Sequence, residues 1–251
     1  MIDFINCEIG YPWFTIFKEL NLSFVPNTIT AILGPNGCGK STLVSAVFNP
    51  RRVSAGEVRV CGENAHSMPV KALASYVAVV PQIQHIPFDF IVRDVVLMGR
   101  NPHVGFSPSE KDVRLVDETL EKLGIAFLAD KGYARISGGE RQMVNIARAV
   151  AQDTPVMLMD EPTSYLDLKN QAQVLSLIKR LHEEDGKTII MTLHDPSSAL
   201  RFSQQVVFMD SGEVLSGASD ELINPEVIRK VYGVDVKRVD VDGVGHIVPL
   251  I

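Results

Sequence analysis

Three nearly continuous apolar runs stand out along the chain, Thr28 to Leu33, Thr154 to Met159 and Lys187 to Leu193. Runs this short, without polar alternation, predict strands buried on both faces in the middle of a sheet. Elsewhere short β-rich stretches alternate with longer helical patterns, which predicts a mainly parallel sheet covered by helices, with antiparallel β structure at the N-terminal end. From Pro87 to Asp153 the β signal gives way to helical spacing. Val92, Val95, Val96 and Gly99 mark a first helix. Ser107-Pro108-Ser109-Glu110 predicts a capped second helix with proline at its first position, carrying Val113, Val116, Leu120 and Leu123 on one face and ended by Gly124. A third, opening near Ser137, carries Met143, Ile146, Ala147 and Val150 until Asp153-Thr154-Pro155 stops it. The expected organisation is one domain with a core over about 1–86 and 154–218, a helical insertion over about 87–153, and an extension over about 219–251.

Composition narrows the function classes. With 251 residues, 46% of them hydrophobic, the chain can fill a substantial core. Its formal net charge of -6 and lack of a Lys/Arg-rich stretch argue against a nucleic-acid partner. Cys7, Cys38 and Cys61 show neither metal-ligand spacing nor the density of a disulfide framework, which suits a reducing compartment. The first residues lack a basic segment followed by an apolar one, and no run approaches the roughly 18 apolar residues of a membrane span.

Directly after the first buried strand comes Gly34-Pro35-Asn36-Gly37-Cys38-Gly39-Lys40-Ser41-Thr42, followed by the apolar Leu43-Val44 and Ala46-Val47-Phe48 of an expected helix. This is a complete P-loop. Its glycines let successive backbone N–H groups turn inward around a β-phosphate, Lys40 reaches the β- and γ-phosphates, and the Ser41 hydroxyl can ligate Mg²⁺. Cys38, beside Lys40 at a helix start, is expected to be the most reactive of the three thiols. A P-loop alone leaves kinases, GTPases, helicases and transport ATPases open. The apolar Val156 to Met159 ends in Asp160 and Glu161, so two carboxylates emerge where α/β sheets bind ligands. Asp160 can hold Mg²⁺ through water, and Glu161 is the candidate base for the attacking water.

With these in place, Ile136-Ser137-Gly138-Gly139-Glu140 resembles the signature sequence of ATP-binding-cassette ATPases. The other family elements follow in order. Tyr11 resembles the aromatic that stacks on adenine, and Gln82 resembles the Q-loop glutamine, which serves hydrolysis and Mg²⁺. Ser164-Tyr165-Leu166-Asp167 resembles the D-loop, and His194 the switch histidine that contacts the γ-phosphate. The resemblance implies an α/β P-loop NTPase with a RecA-like core, ATP and Mg²⁺ as cofactors, and catalysis by Glu161, His194, Lys40 and Gln82. It implies that Ser137, Gly138, Gly139 and Asp167 join the nucleotide site, and that two copies sandwich two ATP molecules head to tail. It further implies a peripheral protein on the cytoplasmic face of the membrane, beneath a multi-span permease and indirectly served by an external substrate-binding protein. Glu140 departs from the usual glutamine and Tyr165 from a small D-loop residue. The segment Asp94 to His103 resembles subunits of importers for iron–siderophore, haem and cobalamin complexes. Rival readings are a translation or repair ATPase and a permease-free regulatory switch. Trp13 and Phe14, just after Tyr11, read as either a second nucleotide contact or a packed strand face, with packing the favoured expectation. His66, His85, His103, His182 and His246 lack ligand spacing and are expected on the surface or in the core.

Overall fold

The computed structural model describes residues 1–82 and 90–250. In chain order the elements are β1 (Ile2–Tyr11), β2 (Phe14–Ser23), β3 (Ile29–Leu33), α1 (Lys40–Ala46), β4 (Val53–Val60), β5 (Glu63–Asn64), α2 (Val70–Leu73) and β6 (Val77–Val80). Then come α3 (Val92–Leu97), α4 (Glu110–Lys122), α5 (Gly138–Ala151), β7 (Val156–Met159), α6 (Leu168–Asp185) and β8 (Thr188–Thr192). The chain closes with α7 (Pro196–Phe202), β9 (Gln205–Asp210), β10 (Glu213–Ala218), α8 (Ser219–Leu222), α9 (Pro225–Tyr232), β11 (Val236–Val241) and β12 (Val244–Pro249). Two compact units result, one from Met1–Pro69 with Thr188–Ile251 and one from Val70–Lys187.

In the first unit, β2, β1, β4 and β5 form an antiparallel sheet, as the N-terminal pattern predicts. Strand β3 pairs parallel with both β8 and β9, and β9 turns back into β10. All five residues of β3 and of β8 are buried, which is why their sequences show no polar alternation. Phe4, Phe17, Ile9, Leu33 and Phe208 fill this core with almost no solvent contact. A separate hairpin, β11 with β12, ends the chain.

In the second unit, β6 and β7 pair in parallel, with β7 wholly buried. Helices dominate the rest. Val95, Val96, Val116, Leu120 and Ile146 form its core. A Cβ at Gly99 would stand 2.1 Å from the Arg148 carbonyl oxygen, so α5 passes the chain just beyond α3 at backbone distance. The expected start of the helical insertion, residue 87, lies outside the described residues.

One helix start moves. The cap of α4 is Ser109, two residues beyond the expected Ser107, and its reciprocal partner is Asp112. Overlapping Ser-x-x-acid frames both satisfy the pattern. The second wins because Asp112 also accepts from the buried Arg100 Nε at 3.0 Å, and Arg100 in turn donates to the Ala151 carbonyl at 2.9 Å. Hydrogen bonds from the Ser109 hydroxyl and N–H, then from Arg100, hold the Asp112 carboxyl well below the usual carboxylate range. Stability from such a depressed group is complete above the unfolded value near 3.9 and is lost as pH falls below it. Asp112→Asn should therefore lower the urea midpoint at pH 6, and the gap to the parent chain should narrow steadily as pH falls below about 4. An equal gap across that range would show that the carboxylate charge is not what matters.

Candidate functional site

Strand β3 delivers the P-loop. Gly34 sits at φ 154°, where a Cβ would stand 2.2 Å from the Met209 carbonyl oxygen, so β9 fixes the entry to the loop. Gly39, at φ 106°, caps α1, and a Cβ there would press on Ile16 at 2.8 Å. Neither conformation nor space admits a side chain. The apex opens instead: Asn36 and Gly37 are exposed, and a Cβ at Gly37 would meet nothing within 4 Å. Lys40 is only 6% exposed, its ammonium donating to the Gly34 and Pro35 carbonyls at 2.8 and 3.0 Å. Pro35 is half-buried, Thr42 is buried within α1, and Ser41 is exposed on its first turn. An open, glycine-lined turn with a cation held beneath it fits a phosphate chain.

At Cys38 burial works against what the position suggests. Half-burial pushes its thiol up, outweighing the opposing field and hydrogen bonding of Lys40. Cys7 is buried and likewise raised by desolvation, whereas Cys61 is exposed. The expected order therefore changes, and maleimide should label Cys61 first, Cys38 more slowly and Cys7 last. Peptide mapping after brief exposure checks this, and faster labelling of Cys38 would restore the thiolate reading.

Tyr11 ends β1 with the Arg52 guanidinium 3.8 Å above its ring and the Trp13 ring 6.1 Å away at an interplanar angle of 27°. Trp13 is 82% exposed and Phe14 62% exposed, so neither packs on a strand face as expected. Trp13 lies in the turn between β1 and β2, and Phe14 opens β2. His194 is exposed at the end of β8, one residue before Asp195 caps α7. His66, His103 and His182 each place a ring nitrogen within 3.0 Å of a backbone carbonyl, a structural role. His85 lies outside the described residues.

The second unit assembles the carboxylates. Asp160 follows β7 with its N–H bonded to the Val80 carbonyl at 2.9 Å. Glu161 sits at φ 48°, a conformation unfavourable for a residue with a side chain. Its Oε2 accepts from the Gln82 amide nitrogen at 2.5 Å and from the Ser164 hydroxyl at 2.7 Å. Gln82 and Glu161, 79 residues apart, are thus brought together. Ser164 had no assigned role, and its spacing of three from Glu161 was the available signal. Asp167 caps α6, accepting from the Asn170 N–H at 2.8 Å.

Ser137 caps α5, and its N–H and hydroxyl both donate to the Glu140 carboxylate, at 2.8 and 2.7 Å. These bonds lower the Glu140 pKa, so it stays ionised at the mouth of the helix. Gly138 is exposed there, while a Cβ at Gly139 would collide with the Asn170 side chain.

Residues 17–164, more than half of the chain, match the family model described as ABC transporter. The chain is 39% identical to the iron(3+)-hydroxamate import ATP-binding protein FhuC of Bacillus subtilis, covering 92% of this chain and 87% of that one. It is 34% identical to the ferric enterobactin transport ATP-binding protein FepC of Escherichia coli, over 96% and 91%. Among solved structures, an inward-facing transporter described as of metal-chelate type aligns over 100% of this chain and 97% of that one, with TM-score 0.87 and 29% identity. The post-hydrolysis dimer of the cassette MJ0796 bound to ADP and Pi aligns over 87% and 99%, with TM-score 0.77 and 28% identity. The chain belongs to the ABC transporter family, as an ATP-hydrolysing cassette.

Proposed function

We propose that this chain energises import of metal chelates of the iron–siderophore, haem or cobalamin kind. Two copies hydrolyse ATP on the cytoplasmic face of the membrane beneath a multi-span permease that an external binding protein loads. The observation that carries this is the agreement of relatives: siderophore-import subunits above 30% identity over more than nine-tenths of the chain, and a metal-chelate transporter aligned along all of it. No helix of the described residues is long and apolar enough to cross a membrane, which supports a separate permease.

In this reading Lys40 and the loop from Gly34 to Thr42 hold the phosphates and Tyr11 stacks on the base. Glu161 takes the proton of the attacking water, and His194 meets the γ-phosphate. The Ser41 hydroxyl, Asp160 and the Gln82 amide oxygen supply the oxygen donors that Mg²⁺ prefers, and the cation neutralises charge on the β- and γ-phosphates. Ser137, Gly138, Gly139 and Asp167 serve the nucleotide bound by the partner copy.

Co-purification in mild detergent tests the assembly, with a pair of multi-span partners as the expected result. Vesicles containing that complex should then take up a ferric hydroxamate, haem or cobalamin only with ATP on the side of this chain. Co-purifying RNA or ribosomal particles would point instead to a translation role. A stable ATP-dependent dimer without a permease would favour the regulatory switch.

A further inference from the structure

The family match ends at residue 164, yet the last thirty or so residues are built against the helix that follows the switch histidine. That helix, α7, has seven residues, and Ala199 is the one it buries fully. Strand β12 covers it. The Ser197 hydroxyl accepts from the Ile247 N–H at 2.9 Å and donates to the Ile247 carbonyl at 3.3 Å, a two-way bond between a helix side chain and a strand backbone. Two residues earlier on the strand, a Cβ at Gly245 would stand 2.6 Å from a Leu200 methyl, so β12 lies directly against the Leu200 side chain of α7. The hairpin is itself tied down. Arg238 donates to the Asp220 carbonyl at 2.6 Å, and the Leu250 N–H to the Asp235 carbonyl at 2.8 Å.

His194 lies between two anchors. Before it the buried Leu193 follows β8, with its N–H bonded to the Ile32 carbonyl at 3.0 Å. After it Asp195 caps α7, accepting from the N–H groups of Ser197 and Ser198. The backbone leaving His194 thus runs directly into the cap of α7, and α7 is held by the hairpin. The extension also reaches the P-loop. The Tyr232 hydroxyl at the end of α9, shielded from solvent, lies beside the Gly34 backbone, and burial pushes its phenol up to about 12, so it remains neutral.

We infer that the C-terminal hairpin is a positioning element for hydrolysis, fixing the helix behind His194 through the Ser197–Ile247 bond and the Leu200–Gly245 contact. The inference rests on His194 being the residue that meets the γ-phosphate. Small displacements of a positioned group cost rate before they cost affinity. The test uses the full chain with Mg-ATP and three readouts: kcat, nucleotide Kd from the emission of Trp13, the chain's one tryptophan, and the thermal midpoint. Ser197→Ala should lower kcat roughly tenfold with Kd unchanged within about twofold, and Ser197→Thr, which keeps the hydroxyl, should recover most of it. Gly245→Val, which drives a side chain into Leu200, should reproduce the Ser197→Ala loss. Wild-type kcat in both Ser197→Ala and Gly245→Val, with His194→Ala slow, would overturn the inference. So would a kcat loss matched by an equal loss of affinity, which would mark general loosening. Normal turnover by His194→Ala would instead remove the histidine assignment beneath it.

Discussion

Glu161→Gln should abolish measurable turnover while leaving nucleotide affinity and fold intact. The Glu161 oxygen that receives the Gln82 and Ser164 donors has an equivalent in the glutamine carbonyl, so both hydrogen bonds survive the exchange. What disappears is the charge and the ability to take a proton. A positioned general base contributes roughly 10²- to 10⁴-fold, and kcat should fall by that range. Unable to hydrolyse, the two copies should stay closed on ATP, and size exclusion in Mg-ATP should show a dimer that the parent chain forms only transiently. Hydrolysis within about twofold of the parent would place the base elsewhere. Retained affinity would make the separation clean, since a variant losing binding as well would show that Glu161 shapes the site rather than performs a step.

The features legible in the sequence are those whose chemistry constrains neighbouring residues. Gly34 and Gly39 hold backbone conformations and close approaches that only glycine tolerates, and Lys40 follows at fixed spacing because one helix start must serve the phosphates. The acidic pair after Met159 was visible because a wholly buried strand must end where charge begins. What stayed hidden depends on contacts between distant segments. Arg52 over Tyr11, the Gln82–Glu161 bond and the Ser197–Ile247 bond span 41, 79 and 50 positions. The start of α4 was misplaced for the same reason, because Arg100 selects between two capping frames that look alike locally. For Cys38 the hidden contribution is of another kind: its dipole and lysine neighbours are local, but the desolvation that opposes them comes from the folded surroundings. Trp13 has the composition of a strand but the position of a turn, and Phe14, the first residue of β2, is left exposed beside it.

Lys40→Ala should be as damaging as loss of the base, and by two routes. The ammonium is buried and bonded to the Gly34 and Pro35 carbonyls, so truncation leaves both acceptors without their partner and the loop without its central cation. Each lost bond to a charged donor is worth about 1.5–3 kcal/mol, which should appear as a lower thermal midpoint without nucleotide. The second route is electrostatic. Without that charge the β- and γ-phosphates are poorly neutralised in both ground and transition states, and a single lost stabilising donor lowers kcat by roughly 10²- to 10³-fold. Lys40→Arg should not rescue turnover, because a planar guanidinium cannot occupy the compact space of an ammonium held between two carbonyls. Normal turnover in Lys40→Ala would end the P-loop assignment. Mixing decides whether sites are shared between copies. In a mixed dimer of Lys40→Ala and Ser137→Arg subunits, one composite site carries both lesions, while the other pairs an intact P-loop with an intact Ser137. Two variants that are inactive alone should therefore regain up to half of the parent activity per mixed dimer, about a quarter in an equal mixture that pairs at random. If each site lay within one chain, no mixture would recover anything.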